Sequence, residues 1–332
     1  MVGPNPDRKP RARSFERKTY SEVRRRREPV EEEKTEETSR WRKEARSFLF
    51  DIMAAFIVLL LLVGGLYTYT NNWPPLVVVQ SGSMQHSDDT SFVGVIDTGD
   101  LVFVKKVEEQ KDIVPYYDGV EKDHRRYDSY GDVIIFRPNG DEDRTAIIHR
   151  AVLYIEFNGT DLDWENESYG GFDLPSLNRA NVKEKITIEG YEWPDSVRSS
   201  GLTIDLGEIL RNFYTYRTEP HGGYITKGDD NPGVDQTSDF YSNDPPWIEP
   251  VEQDWVIGKS VGELPWFGII KLKIEGNDNW PENSMRNLII AMVILVATPF
   301  VLDIGIHMAV RAFKKEEEEP PEPPRRPPRR RF

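Results

Sequence analysis

The chain has 332 residues, which is enough for one large domain or two ordinary ones. It contains no cysteine, so disulfide bonds, thiolate catalysis of the sortase kind and cysteine-ligated metal sites are excluded. The formal net charge of −14 is unevenly distributed, because residues 48–310 carry 42 acidic and 20 basic side chains. This acidic middle segment disfavours a nucleic-acid partner, since phosphates require a basic surface.

This acidic middle segment has two interpretations. Net charge of either sign favours solubility at ordinary salt concentrations. A carboxylate-rich surface is also tolerated at very high salt, where the repulsion between like charges is screened. We favour adaptation to high salt, which predicts that stability rises steeply towards multimolar salt. Equal stability in dilute buffer would contradict it.

Two long apolar segments divide the chain. Residues 48–69 contain a single charge, Asp51, and residues 288–310 confine Asp303 and His307 to their final third. Each segment meets the requirement of about 20 apolar residues for a helix that spans a membrane. The first segment is too long for a cleavable signal peptide and lies behind 47 polar residues. We therefore expect two transmembrane helices.

Both terminal segments are basic. Residues 1–47 carry 15 basic and 10 acidic side chains, and residues 311–332 carry 8 and 5. Basic residues concentrate on the cytoplasmic side of membrane proteins, so we expect both termini in the cytoplasm of a cell-membrane protein and residues 70–286 outside. The two charged tails have the composition of disordered segments.

The exterior region is predicted to be a mostly-β domain of complex topology. Short apolar or alternating runs are separated by turn signals rich in Gly, Asp, Asn and Pro. The predicted strands are 76–79, 101–107, 132–136, 146–155, 185–188, 223–226, 256–261 and 269–274. A short helix is predicted at 206–214, a long loop at 108–130, and an inserted cap at 157–221.

A candidate nucleophile follows the first predicted strand. The tetrapeptide Ser81-Gly82-Ser83-Met84 ends an extended run about a dozen residues after the first apolar segment. A turn of small residues at this point would present a hydroxyl close to the membrane surface. A turn without any function is an equally good interpretation of the tetrapeptide by itself.

A serine nucleophile requires a base to take its proton and an acid to orient that base. Among the five histidines, only His149 ends an apolar strand, and a buried structural histidine is the alternative interpretation. Lys105 or Lys106 is the alternative base. The carboxylates that follow the predicted strand at 223–226 are candidates for the orienting acid. A turn without function and a weak Ca²⁺ loop are the alternatives, although the segment lacks EF-hand spacing.

Five blocks of this chain, in order behind a membrane anchor, resemble type I signal peptidases of the form found in archaea and in the eukaryotic microsomal complex. The blocks are residues 76–84, 99–107, 131–139, 147–152 and 224–235. The chain departs from the family at two points. Met84 is followed by Gln85-His86, where the family usually has proline two residues after the methionine, and the usual Gly-Asp-Asn reads Gly228-Asp229-Asp230-Asn231.

The resemblance implies a signal-peptidase-like β domain and a role for each matching residue. Ser83 would be the nucleophile, and His149 the base in place of the lysine of the bacterial form. Asp229 and Asp235 match the carboxylates of the family, and Asp230 leaves open which of the three orients His149. The Ser83 backbone N–H and the Ser81 hydroxyl would hold the oxyanion. No cofactor and no metal are expected.

The function implied is that of a membrane-bound serine endopeptidase that removes signal peptides from exported preproteins. Its expected partners are preproteins with small residues at the cleavage site and the lipid bilayer, with the protein-export machinery as a further candidate. The alternative is a non-enzymatic, membrane-tethered β module that binds exterior partners and is indifferent to Ser83→Ala.

Overall fold

The computed structural model describes residues 20–163, 168–193, 201–237 and 247–318. The helices are α1 (Tyr20–Thr70), α2 (Tyr116–Lys122), α3 (Leu206–Tyr216), α4 (Ile269–Glu275) and α5 (Ser284–Glu318). The strands are β1 (Leu76–Val78), β2 (Leu101–Lys105), β3 (Arg125–Arg126), β4 (Ser129–Tyr130), β5 (Val133–Phe136), β6 (Ile147–Asp163), β7 (Ser168–Leu174), β8 (Arg179–Val182), β9 (Lys185–Glu189), β10 (Gly201–Asp205), β11 (Gly223–Lys227) and β12 (Val256–Leu264).

The domain between the two long helices is mostly β, as predicted. Its main sheet is antiparallel, with the strand order β1-β2-β12-β5-β6-β7-β8, and β11 also pairs with β6. The strands β9 and β10 form a separate pair, as do β3 and β4. One compact unit of the chain ends at Gly65, and the second, which begins at Leu66, contains every strand listed above.

Strand β6 organises the sheet because it pairs with three strands along its length. Its residues Ile147–Arg150 pair with β5, Arg150–Ile155 with β11, and its last part with β7. Consequently Ile147 and Ile148 pair on one side only, with β5, within the described residues. An unpaired edge of backbone amides and carbonyls is a place where another extended chain can add.

Two helices are long and apolar enough to cross a membrane, in agreement with the sequence. The candidate spans are Trp41–Thr70 and Ser284–Arg311, with mean hydropathies of 2.6 and 2.5. Their apolar side chains are exposed in the folded chain, for example Leu61 at 70% and Phe300 at 67%. A core helix of a soluble protein would instead bury such side chains.

The charged tails differ in part from the prediction. Helix α1 begins at Tyr20, so residues 20–47 are helical, and α5 continues to Glu318. Glu, Lys and Arg are good helix formers, and a helix that is already nucleated by an apolar segment extends at little cost. Residues 1–19 and 319–332 lie outside the described residues.

The predicted strand at 269–274 is wrong, because this segment is helix α4. Its isoleucines favoured a strand, but the buried residues Ile269 and Leu272 are spaced three apart, as on one face of a helix. Gly276 ends the helix in the left-handed conformation, with φ 78°. The predicted helix at 206–214 is confirmed as α3.

The long loop predicted at 108–130 contains α2 and the short hairpin of β3 and β4. Tyr116, at the start of α2, is 1% exposed and belongs to the largest apolar cluster. The predicted inserted cap at 157–221 supplies β7 to β10 and α3, and its apolar residues join Leu153 and Ile225 of the main sheet in that same cluster. The insert therefore shares its core with the sheet.

Candidate active site

Ser83 lies in a 3₁₀ turn, Gly82–Met84, just after β1. The backbone of Val79 bonds to Gly99 and Asp100, which ties the end of β1 to the start of β2. Met84 is completely buried in a cluster with Val79 and Ile96. The backbone bonds of Val79 thus hold the turn on its N-terminal side, and the buried Met84 side chain holds its C-terminal end. The Ser83 side chain faces a cleft.

His149 reaches Ser83 from β6. The His149 side chain is 3% exposed, and its Nε2 lies 2.9 Å from Oγ of Ser83. The opposite ring nitrogen, Nδ1, lies 2.6 Å from Oδ2 of Asp235, whose side chain is fully buried. Because an ionised carboxylate only accepts hydrogen bonds, Nδ1 carries the proton and Nε2 accepts from the serine hydroxyl.

The three residues form a hydrogen-bonded series, in the arrangement that a nucleophile, a base and an orienting acid require. Among the candidate carboxylates of the sequence, the structure pairs Asp235 with His149. Such an arrangement lets the imidazole take the hydroxyl proton while the carboxylate holds its tautomer and stabilises the imidazolium.

Two residues that the sequence did not indicate support Asp235. The hydroxyl of Thr226 donates to Oδ2 of Asp235 at 2.7 Å. The side chain of Gln236 accepts from the Thr226 backbone N–H and donates to the Thr226 hydroxyl. The only sequence signal for this support was the position of Thr226, in the predicted strand just before the acidic turn.

Asp229 has a different partner from the one that the resemblance allowed. Arg150 donates from Nε and Nη2 to its two carboxylate oxygens, at 2.8 and 2.5 Å. Burial opposes ionisation of Asp229, but the Arg150 guanidinium outweighs it and lowers the pKa of the carboxyl below its usual value. Arg150, itself fully buried, also donates to the carbonyls of Arg126, Tyr130 and Gly131. The ion pair therefore fixes the acidic turn to the β3–β4 hairpin.

A buried lysine completes the support of the turn. Lys227 donates from Nζ to the carbonyl oxygens of Gly228 and Asp229, at 2.8 and 2.9 Å. Its ammonium lies 4.4 Å from the centre of the Trp193 ring, a cation–π distance. Burial lowers the pKa of Lys227 to about 8. Neither Lys227 nor Arg150 was a candidate from the sequence.

The turn that follows β11 contacts Ser83 through its backbone. The N–H of Asp230 donates to the carbonyl oxygen of Ser83 at 2.9 Å. A Cβ at Gly228 would lie 2.5 Å from that same oxygen and 2.8 Å from Nε2 of His149, so only glycine fits there. Thus Asp230 contributes its backbone to the position of Ser83, and Asp235 contributes its side chain to the position of His149.

The cleft beside Ser83 has a volume of about 440 Å³. One wall is the end of β1, with Val77 and Val78, and the other is the start of β6, with Ile147 and Ile148. The Ser81 hydroxyl lies in the same cleft, 3.2 Å from Oγ of Ser83. The lining is largely apolar around a small polar centre, as is usual for a ligand-binding cleft.

The alternative bases lie elsewhere. The ammonium of Lys105 is 5.6 Å from the Tyr69 ring centre, and that of Lys106 is 3.9 Å from a Glu108 oxygen. The remaining histidines outside the long helices also have other carboxylate neighbours: Asp229 for His86, Asp132 for His124, and Glu249 for His221. Within the described residues, no group of three or more His, Asp or Glu side chains is arranged to hold a metal ion.

No protein-family model matches the chain, and no curated protein matches it either.

Proposed function

We propose that this chain is a membrane-anchored serine endopeptidase of the type I signal peptidase kind. The observation that carries the proposal is the hydrogen-bonded series Ser83–His149–Asp235 at the side of an apolar cleft. Three separate parts of the chain supply these residues, and each atom has the partner that acyl-transfer chemistry requires.

In the proposed reaction, Oγ of Ser83 attacks the scissile carbonyl while Nε2 of His149 takes the hydroxyl proton. The imidazolium formed is stabilised by Asp235, which is 2.6 Å away. His149 then gives its proton to the leaving amine, and an acyl-enzyme remains on Ser83. Water, deprotonated by His149, hydrolyses the ester and frees the serine.

The oxyanion would be held by the backbone N–H of Ser83 and the hydroxyl of Ser81. The Ser81 hydroxyl lies beside the nucleophile and can rotate to donate into the cleft. One such donor is worth about 3–4 kcal/mol of the activation barrier. This role distinguishes Ser81 from Ser83: its loss weakens the reaction, whereas the loss of Ser83 abolishes it.

The substrate would bind in an extended conformation between β1 and the start of β6. Each of these segments has one unpaired edge within the described residues, and valine and isoleucine side chains line the space between them. Main-chain pairing with a free edge gives affinity, and side-chain pockets give specificity. Small residues next to the scissile bond would fit this cleft best.

The two candidate spans suggest where this chemistry takes place. The basic residues that flank both spans would keep the termini in the cytoplasm and the β domain on the exterior side of the cell membrane. The substrates would be exported preproteins that are still held in the bilayer by an apolar segment. The acidic composition fits an exterior domain that works at high salt, as in a salt-adapted archaeon.

The test is cleavage of a preprotein by the purified full-length chain in detergent at high salt. The wild type is expected to release a mature N-terminus after a small residue, whereas Ser83→Ala releases none and Ser81→Ala is slower by about 10²–10³-fold. Mass spectrometry of the products identifies the cleaved bond. Equal cleavage by the wild type and Ser83→Ala would overturn the role of Ser83. No cleavage by a folded wild type would favour the non-enzymatic β module.

A further inference from the structure

A second cavity lies beside the loop that follows Ser83. Its volume is about 520 Å³, and none of its lining residues also lines the cleft. It is lined by residues 86–90 of that loop, residues 128–129 of the β3–β4 hairpin and residues 192–193, which follow β9. Cavities of this size are typical of binding sites for small ligands. The reaction proposed for Ser83 makes no use of it.

Three polar side-chain atoms at the second cavity have no hydrogen-bond partner among the described residues. They are Nδ1 of His86, Oγ of Ser129 and Nε1 of Trp193, and each atom is buried. Ser129 is the clearest case, because the whole residue is only 6% exposed. Leaving a buried polar group unpaired costs free energy, so these atoms indicate a polar ligand. The indole N–H of Trp193 can only donate, so that ligand must carry an acceptor.

Two carboxylates at the second cavity have no positive partner. Asp89 and Asp128 are exposed, and neither forms an ion pair with Lys or Arg among the described residues. The arginines beside the cavity are already paired, Arg125 with Glu192 and Arg150 with Asp229. The unpaired negative charge therefore favours a cation. Within the described chain these acids are not grouped to hold a metal ion, so an organic cation with several donors fits them better.

We propose that the second cavity binds an arginine side chain in a peptide segment. A guanidinium carries five N–H donors in a rigid fork, which matches the acceptors at Asp89, Asp128 and Ser129. A peptide carbonyl next to the arginine supplies the acceptor that Nε1 of Trp193 lacks. A small cation without a carbonyl would leave that indole N–H unpaired.

The second cavity is close to the candidate active site. His86 lies three residues after Ser83, and three extended residues span at most about 11 Å. Nε2 of His86 is 3.7 Å from Oδ2 of Asp229, whose neighbours Gly228 and Asp230 both contact Ser83. A peptide bound here is therefore held next to the acidic turn but outside the cleft. The inference concerns binding and does not require the proposed enzymatic activity.

The test is binding of a fluorescein-labelled Gly-Ser-Arg-Ser-Gly peptide to the full-length chain in detergent, measured by fluorescence anisotropy at one salt concentration. The same peptide with citrulline in place of arginine keeps the shape of the side chain but loses its charge. The double variant Asp89→Asn/Asp128→Asn removes the two unpaired carboxylates. Asp143→Asn/Asp254→Asn is the matched control, since it removes two exposed aspartates that do not line the cavity. Thermal unfolding verifies that each variant is folded.

We expect the wild type and the control variant to bind the arginine peptide saturably and with equal affinity. Binding should be weaker by about tenfold or more for the citrulline peptide and for Asp89→Asn/Asp128→Asn, because hydrogen bonds to charged groups are lost. If the wild type does not bind the arginine peptide, or if Asp89→Asn/Asp128→Asn binds it as tightly as the control, the proposed site is wrong.

Two further measurements test the peptide part of the proposal. Ser129→Ala removes the buried hydroxyl and should weaken binding roughly fivefold. Trp193→Phe keeps an aromatic ring but has no N–H, so it should weaken the peptide without changing the displacement of that peptide by ethylguanidine. If ethylguanidine binds the wild type as tightly as the peptide does, the cavity recognises a small cation and the contact between Trp193 and a peptide carbonyl is wrong.

Discussion

The backbone N–H of Asp230 donates to the carbonyl oxygen of Ser83 at 2.9 Å. This bond connects the acidic turn after β11 to the turn that carries the candidate nucleophile. His149 approaches the same turn from β6, so the three segments converge on Gly228. The position of the serine hydroxyl therefore depends on a backbone turn as well as on its hydrogen bond to His149.

The tight contact at Gly228 gives the first prediction. Gly228→Ala places a methyl group against the Ser83 carbonyl and the His149 ring, so Ser83 and His149 must move apart. A misplacement of about 1 Å can cost roughly 10²-fold in rate. We expect kcat for preprotein cleavage to fall by about that factor. Gly233→Ala is the matched control, because nothing lies within 4 Å of a Cβ there. Equal losses in the two variants would contradict the steric explanation.

The second prediction concerns Lys227, which holds the turn through two carbonyls. Lys227→Met keeps an unbranched side chain, one atom shorter, but removes the ammonium, so the turn loses both hydrogen bonds. We expect kcat to fall roughly tenfold, with little change in KM, since the cleft is untouched. Lys105→Met, on the exposed side of β2, is the control. It also tests Lys105 as the base: a large loss there would favour the lysine mechanism over His149.

The third prediction is a pH dependence of stability, which also follows from Lys227. Burial lowers its pKa in the folded chain to about 8, whereas an unfolded lysine titrates near 10.4. Between these values the unfolded chain binds more protons, so the free energy of unfolding rises with pH, and this contribution is lost as the pH falls through about 8. Lys227→Met should flatten that rise in thermal unfolding between pH 8 and pH 10. An unchanged slope would contradict the lowered pKa.

The sequence contained much of the site but not the pairing of its carboxylates. Ser83, His149 and Asp235 could be proposed from the order of the blocks, whereas Asp229 and Asp235 were equivalent candidates. The structure separates them because His149 and Arg150 are neighbours on a strand, so their side chains point to opposite faces. Asp235 meets the histidine, and Asp229 meets the arginine.

The fold was predictable where the local sequence pattern determines the secondary structure. It was less predictable where tertiary packing determines it. The strands around the site and α3 follow their apolar patterns. Helix α4 does not, because isoleucine-rich segments of six residues fit a strand or a helix, and only the burial of Ile269 and Leu272 decides between them. Arg150 and Lys227 were missed for a similar reason, since burial of a charge depends on partners that are distant in sequence.

The fourth prediction tests the assignment of the orienting acid. In Asp235→Asn, either the amide nitrogen faces His149 and forces the wrong tautomer, or the amide oxygen faces it without the charge that stabilises an imidazolium. We expect kcat to fall by about 10³–10⁴-fold while the melting temperature changes little. Asp230→Asn, in the same turn, should retain most of the activity, because its backbone N–H provides the contact with Ser83. Comparable losses in both variants would contradict the assignment to Asp235.

The fifth prediction concerns the buried carboxyls that support the loop after Ser83. Burial raises the pKa of Asp100 to about 7 and that of Glu263 to about 8, and it also raises the pKa of Asp97. The backbone N–H of Trp266 donates to Asp100, and that of Gly94 donates to Glu263. These bonds favour the charged form of the carboxyls, but burial outweighs them and favours the neutral form.

A carboxyl whose folded pKa is raised contributes stability that is complete below its unfolded pKa, about 4.3 for Glu, and is lost as the pH rises through the folded value. The wild type should therefore lose stability between about pH 4 and pH 8. Glu263→Gln keeps the acceptor for Gly94 but cannot ionise, so its melting temperature should exceed that of the wild type at pH 9 and match it at pH 5. Glu121→Gln, on the exposed side of α2, controls for net charge. If Glu263→Gln runs parallel to the wild type from pH 5 to pH 9 at constant salt, Glu263 is ionised throughout and the buried-carboxyl explanation is wrong.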